Sequence, residues 1–466
     1  MIVSLLNLAT AITEITPFWL VATAEEESAE PEGSIILAGV LLSLVAIYIA
    51  SKIGGELCSR INLPPVLGEL VGGVVIGTSV LGLLVFPEAG ATAEDSLIMA
   101  FLEQTTALEP GTAEAVFEAQ GEVITVLSEL GVVILLFEIG LESDLKELLR
   151  VGPQAAAVAI TGVVAPFVGG TAGLYYGFGV PAIPAIFAGA ALTATSIGIT
   201  AKVLAELGQL NSKEGQIIIG AAVIDDVLGI IILAVVASLI KTGNIEITNI
   251  LYLVVSAAAF LVGTIIIGRF ISPFLVGMVN EMKTRGELLL TALVFAFALA
   301  YVATAIELEA ILGAFAAGLV LAETEKRKEL EEQVVPVADI LVPVFFVCVG
   351  ARTDLGVLNP AVPSNREGLI LAAFLIVVAI IGKTIAGYTI FGASEINKLA
   401  IGVGMVPRGE VGLVFAGVGS ASGALSPSTE AAIIVMVILT TFIAPPFLRV
   451  VFPEPSEAEA SKQEGT

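Results

Sequence analysis

The sequence predicts an all-α polytopic membrane protein, and three observations carry that prediction. Of 466 residues, 57% are hydrophobic and only 14% charged, with a mean hydropathy of +1.01; a water-soluble chain carries about 25% charged residues. The apolar residues fall in blocks of roughly twenty, the length that crosses a hydrocarbon layer as a helix. The blocks are continuous, unlike the ten-residue alternating segments of a membrane β-barrel. Two cysteines, Cys58 and Cys348, are too few for a disulfide framework. There is no histidine, so any pH response must come from carboxylates or a lysine. The net charge of −25 argues against nucleic acid as a partner.

Taken in order, residues 1–33 comprise an N-terminal segment and an acidic stretch. Glu14 interrupts its apolar residues, and Ala22-Thr23-Ala24 precedes the acids. That pattern suits a signal peptide but lacks a basic start, so both a processed segment and a retained anchor stay open. Thirteen transmembrane helices are expected over 35–53, 64–85, 123–141, 153–177, 182–205, 214–240, 247–277, 286–306, 308–322, 334–350, 368–392, 397–420 and 429–450. The loops are short except 86–121, which is long and acidic. Residues 451–466 form a short tail.

Basic residues orient the helices. With the first helix starting outside, Lys241, Arg352 and Arg366 fall on the outer side. Fifteen others, from Lys52 to Lys462, fall on the inner side. The C-terminal tail is therefore expected in the cytoplasm. The acids of the outer face read as a solvated surface that could also gather cations.

The two halves echo each other. Leu67-Gly68 with Gly73 and Val75 matches Leu312-Gly313 with Gly318 and Val320, an offset of 245. Leu136-Phe137 through Gly140, Asp144 and Leu145 matches Phe345-Phe346 through Gly350, Asp354 and Leu355. Repeat one covers about 34–240, a linker helix 247–277 and repeat two 286–450. An offset of seven helices makes the repeats inverted, as in secondary transporters with a midplane site.

The charged residues inside apolar runs carry the functional reading. Asp225 and Asp226 lie in the run 214–240, about 18 Å from its start at 1.5 Å per residue. Two neighbouring carboxylates at that depth need compensation. Lys383 lies in another run, at a depth where snorkelling is difficult, and is assigned to Asp225 as its ion-pair partner. Asp226 is then the principal cation and proton carrier. The equivalent helices at 182–205 and 397–420 are interrupted over the stretch Thr193 to Thr200, which holds Thr195 and Ser196, and over Met405 to Gly412, which holds Pro407, Arg408, Gly409 and Glu410. Breaks at membrane depth are tolerated where freed carbonyls and hydroxyls line a cavity and can coordinate a hard cation. Arg408 and Glu410 either compensate the half-helix dipoles or form a salt bridge with each other or a neighbour. Glu69, Glu129, Glu138 and Asp339 each could belong to the ion path, but read first as hydrogen-bonded packing carboxylates. Gly68, Gly72, Gly73 and Gly77 read as close-packing positions.

These residues resemble the monovalent cation:proton antiporter-2 superfamily of bacterial sodium/proton antiporters. The resemblance spans about 34–450 and rests on Pro64-Pro65-Val66-Leu67-Gly68-Glu69-Leu70, Glu129-Leu130-Gly131 through Gly140-Leu141-Glu142, Asp225-Asp226, Gly382-Lys383, and Arg408-Gly409-Glu410-Val411-Gly412. The chain is most similar to cyanobacterial members. The resemblance implies electrogenic exchange of Na+ or Li+ for H+ by an elevator movement, crossed unwound helices at Thr195 and Pro407, and a homodimer. It implies that Asp226 binds the cation, that Asp225 pairs with Lys383, and that Glu410 helps neutralise the crossing. It implies a plasma or thylakoid membrane and no cofactor. Potassium/proton exchange and a gated cation channel are the alternatives; an enzyme is not expected.

Overall fold

The computed structural model describes residues 33–87, 91–106, 108, 112–242, 247–282, 284–390 and 396–452. The expectations for residues 1–24, the acidic run before residue 33 and the tail beyond 452 lie outside the described residues. Among those described, the chain forms α-helices with short 3-10 and π turns, and no strand.

The first helix, α1 (Gly33–Arg60), shows what solvent the fold is built for. Leu37, Leu41, Val45, Ile49, Ile53 and Leu57 recur every fourth residue, and each is more than half exposed. A stripe at that spacing lies on one helical face; an apolar stripe turned outward suits lipid rather than water. Nine helices among the described residues are long and apolar enough to cross a membrane.

From α1 the chain turns into α2 (Pro65–Ile76). The predicted helix 64–85 is cut short here: Gly77 is extended, and Leu83 and Leu84 both donate to the Ile76 carbonyl as the chain folds back. The expected loop holds a hidden helix, α3 (Leu97–Thr105), capped by Ser96, whose hydroxyl accepts from the Met99 N–H at 3.3 Å. Next come α4 (Ala113–Glu142), which begins ten residues earlier than expected, and α5 (Leu145–Ala172), capped by the Asp144 carboxylate. The interrupted segment follows as α6 (Ala182–Ala191) and α7 (Ile197–Glu206). Then come α8 (Lys213–Thr242), α9 (Ile247–Glu281), α10 (Glu287–Ala305), α11 (Ala310–Ala322), α12 (Arg327–Ala351) and α13 (Pro363–Gly387). The second interrupted segment is α14 (Lys398–Gly404) and α15 (Glu410–Ala421), and α16 (Pro427–Val451) ends the fold.

Glycines let helices meet backbone to backbone. A Cβ on Gly68 would lie 2.0 Å from the Gly54 carbonyl oxygen, and one on Gly318 would lie 2.3 Å from that of Phe137. These contacts seat α2 on α1 and α11 on α4.

The packing is reciprocal: α2 lies on α12 as α11 lies on α4, and α8 lies on α5 as α16 lies on α13. The turns repeat as well. Among the described residues, Asn62, at φ 58°, and Glu307, at φ 65°, are the two non-glycine residues with positive φ. Leu63 donates to Cys58 at 2.8 Å, and Leu308 donates to Ala303 at 2.9 Å. Each pair is 245 positions apart, 62 against 307 and 63 against 308, the offset already seen in the sequence. Both turns are helix ends closed by a left-handed residue and a six-to-one hydrogen bond.

Candidate cation site

Helix α8 carries Asp225 and Asp226 about 100° apart around its axis, so they cannot face the same neighbour. Asp225 is fully buried and faces α13. Its carboxylate accepts from Lys383 Nζ at 3.0 Å through Oδ2 and 3.3 Å through Oδ1. Lys383 is also fully buried, and its ammonium donates to the Thr193 carbonyl at 2.6 Å. Lys383 therefore ties α13 to both α8 and the first helix break. Gly162 on α5 faces the lysine: a Cβ there would lie 3.5 Å from Nζ.

Asp226 faces elsewhere. It is 7% exposed and borders a small cavity with Thr195, Ser196, Gly409 and Glu309. Thr195, Ser196 and Gly409 come from the two breaks, at 192–196 between α6 and α7 and at 405–409 between α14 and α15.

The breaks hold each other. Ser196 N–H donates to the Pro407 carbonyl at 2.9 Å. Thr195 Oγ1 donates to the Met405 carbonyl at 3.1 Å and Thr200 Oγ1 to that of Gly404 at 3.0 Å, which satisfies the C-terminal end of α14. Arg408 serves the C-terminal end of α6. Fully buried, it donates through Nη1 to the carbonyls of Thr193, at 3.4 Å, and Ala194. A guanidinium suits a helix C-terminus, where orphan carbonyls carry partial negative charge. Thr441 on α16 fixes the arginine's backbone by donating to its carbonyl at 2.6 Å. Among the described residues Arg408 Nε and Nη2 find no acceptor. Of the two readings left open for Arg408, the geometry has it serving carbonyls of the first break. Glu410 is the first residue of α15, at its positive end; its side chain lies outside the described residues.

The buried charges balance. Asp225, Asp226, Lys383 and Arg408 supply two negative and two positive formal charges, none more than 7% exposed. Such a site can take one further cation or proton only with a change of net charge.

Other singled-out carboxylates are not in this cavity's lining. Glu69 on α2 accepts from Ser51 at 3.0 Å, a packing role. Glu129 and Asp339 are exposed and Glu138 is half-buried. Glu309 escaped the sequence reading, although a signal existed. It and Glu307 are the only charged residues between Glu287 and Glu323. At a helix boundary, charged residues do not stand out from ordinary turn residues. Thr193 and Thr200 stood in the interrupted stretch without a role of their own, and Thr441 was missed, because hydroxyls are common in membrane helices and only their tertiary partners distinguish them.

A family model described as "Sodium/hydrogen exchanger, transmembrane" matches residues 37–452. The chain is 68% identical over 450 residues to the high-affinity Na+/H+ antiporter NhaS3 of Synechocystis, covering 96% of this chain and 97% of that one. It is 34% identical to the Na+/H+-K+ antiporter GerN of Bacillus cereus, covering 90% and 98%. Among solved structures it shares its fold with the sodium proton antiporter MjNhaP1 of Methanocaldococcus jannaschii. The TM-score is 0.58 at 15% identity, over 91% of this chain and 100% of that one. By the extent of the family match and the identity to these relatives, the chain belongs to the sodium/hydrogen exchanger family.

Proposed function

We propose that this protein is a secondary antiporter that exchanges Na+, and Li+, for H+ at Asp226. The observation that carries the reading is the cavity where Asp226 meets both helix breaks beside a charge-balanced buried cluster. Hydroxyls and carbonyls of Thr195 and Ser196 supply hard oxygen ligands beside the carboxylate, as sodium requires. A proton or a cation neutralises Asp226 equally well in charge, so the two compete, and only an occupied site crosses. Sodium at Asp226 also weakens the hold of the cluster on the Lys383 proton, because one more positive charge enters. Loss of that proton makes the cycle electrogenic.

The movement is of the elevator kind. Two inverted repeats, about 34–240 and 286–450, are joined by the linker helix 247–277, and the crossed breaks ride in the moving part. The reciprocal packing and the matched turns at Asn62 and Glu307 support that division. The protein works as a homodimer in a bacterial plasma or thylakoid membrane, with its C-terminus cytoplasmic; the bias of Lys and Arg to one side supports the orientation.

The test uses inverted vesicles with a fluorescent pH probe, to which sodium, lithium and potassium are added in turn. Sodium is expected to collapse the proton gradient, and Asp226→Asn to abolish the response. A response to potassium alone would change the substrate, and full activity in Asp226→Asn would refute the site.

A further inference from the structure

The site has a carboxylate that belongs to neither break nor to α8. Glu309 is the N-cap residue of α11, and it borders the same cavity as Asp226. Its backbone is extended, at φ −71° and ψ 139°, and its side chain makes no capping hydrogen bond to its own helix. Its direction is set by the turn before it, where Glu307 takes the left-handed conformation. A non-glycine residue there costs about 1–2 kcal/mol, so the turn is held by the surrounding fold.

The matching turn of the first repeat carries no such group. Offset by 245 positions, the counterpart of Glu309 is Pro64, which caps α2 with nearly the same backbone, φ −55° and ψ 132°. In an inverted repeat these two turns approach the site from opposite faces of the membrane. One approach therefore carries a carboxylate beside Asp226, and its counterpart carries a proline.

We propose that Glu309 is a cation-facing residue of one access route only, and that it makes the site bind a monovalent cation more tightly from that face than from the other. The inference rests on exchange taking place at Asp226. By the distribution of basic residues, the face in question is the extracytoplasmic one. A carboxylate on the α10–α11 side adds Coulombic attraction while the cavity opens past it. The carboxylate at the Pro64 turn, that of Glu206, instead accepts from the Val66 N–H at 3.4 Å and does not line the cavity.

Initial rates of sodium/proton exchange in right-side-out and inverted vesicles test this. Glu309→Gln is expected to raise the KM for sodium on the extracytoplasmic face about tenfold, a Coulombic loss of ordinary size. The KM on the cytoplasmic face is expected to stay within about twofold. Glu309→Asp is expected to restore much of the difference, which a merely structural role would not predict. Glu309→Ser keeps a helix-capping residue while removing the charge, and serves if the glutamine variant does not fold. An unchanged KM on both faces, or an equal rise on both, would overturn the proposal. Asp226→Asn run in parallel separates the two failures: exchange retained there refutes the site itself, whereas exchange lost there with Glu309→Gln unaltered refutes only the role of Glu309.

Discussion

At the scale of single residues, the buried Asp225–Lys383 pair is held by geometry more than by net stability. Both side chains are fully buried. Removing one partner leaves an uncompensated charge, at a cost of about 3–5 kcal/mol, whereas replacing both with apolar residues is often neutral. Asp225→Ala is therefore expected to lower the Tm in detergent. Asp225→Leu combined with Lys383→Met is expected to recover most of that loss without recovering exchange. A double variant that melts as early as the single one would contradict this account. Arg408 allows a second ranking. Thr441→Val loses one hydroxyl donor to the Arg408 carbonyl, worth about 1 kcal/mol. Arg408→Ala leaves the Ala194 carbonyl without its donor and removes one of the two buried positive charges that balance Asp225 and Asp226, and is expected to cost several times more in a thermal melt. The aspartates and the lysine were legible in the sequence because a charge inside an apolar run is conspicuous. Glu309 was not weighed, because a charge at a helix boundary is ordinary until its neighbours are known.

At the scale of elements, close helix contact rests on missing side chains. Gly318→Ala forces α11 away from α4, since its Cβ would meet the Phe137 carbonyl oxygen at 2.3 Å. It is expected to lower the Tm. Gly417→Ala in α15 meets nothing within 4 Å and is expected to be neutral or to raise the Tm, because alanine is about 1 kcal/mol the better helix former. Equal effects in the two variants would remove the packing argument. The second break was announced by Pro407. The first holds no proline and was inferred from its polar run and its counterpart. What stops α6 at Ala191 is visible only in three dimensions: Arg408 and Lys383 take the Thr193 carbonyl, and Ser196 pairs with Pro407. The short α3 and the early end of α2 escaped for a similar reason, since a nine-residue segment with six apolar residues does not announce a helix and the fold-back onto Ile76 depends on distant partners.

At the scale of the whole molecule, a cation that binds the folded protein must stabilise it. At a sodium concentration of 100 times Kd the gain is about 2.7 kcal/mol. Sodium is expected to raise the Tm of the detergent-solubilised protein, and more at high pH than at low pH because protons compete for the same carboxylate. Asp226→Asn is expected to show no sodium-dependent shift; an undiminished shift would place the cation elsewhere. The membrane class, most of the helical segments and the charges set inside apolar runs were legible in the sequence alone. They follow from chain length, hydropathy and local spacing, which neighbours along the chain suffice to define. The tertiary structure alone places Asp225 on Lys383, the pairing assigned from the sequence although spacing does not separate the two aspartates, sets Asp226 at the cavity, and brings Glu309 there. The helical period puts adjacent side chains about 100° apart, but it does not say which helix stands in each direction. That is settled by the packing of helices hundreds of residues apart, and so is the chemistry of the site.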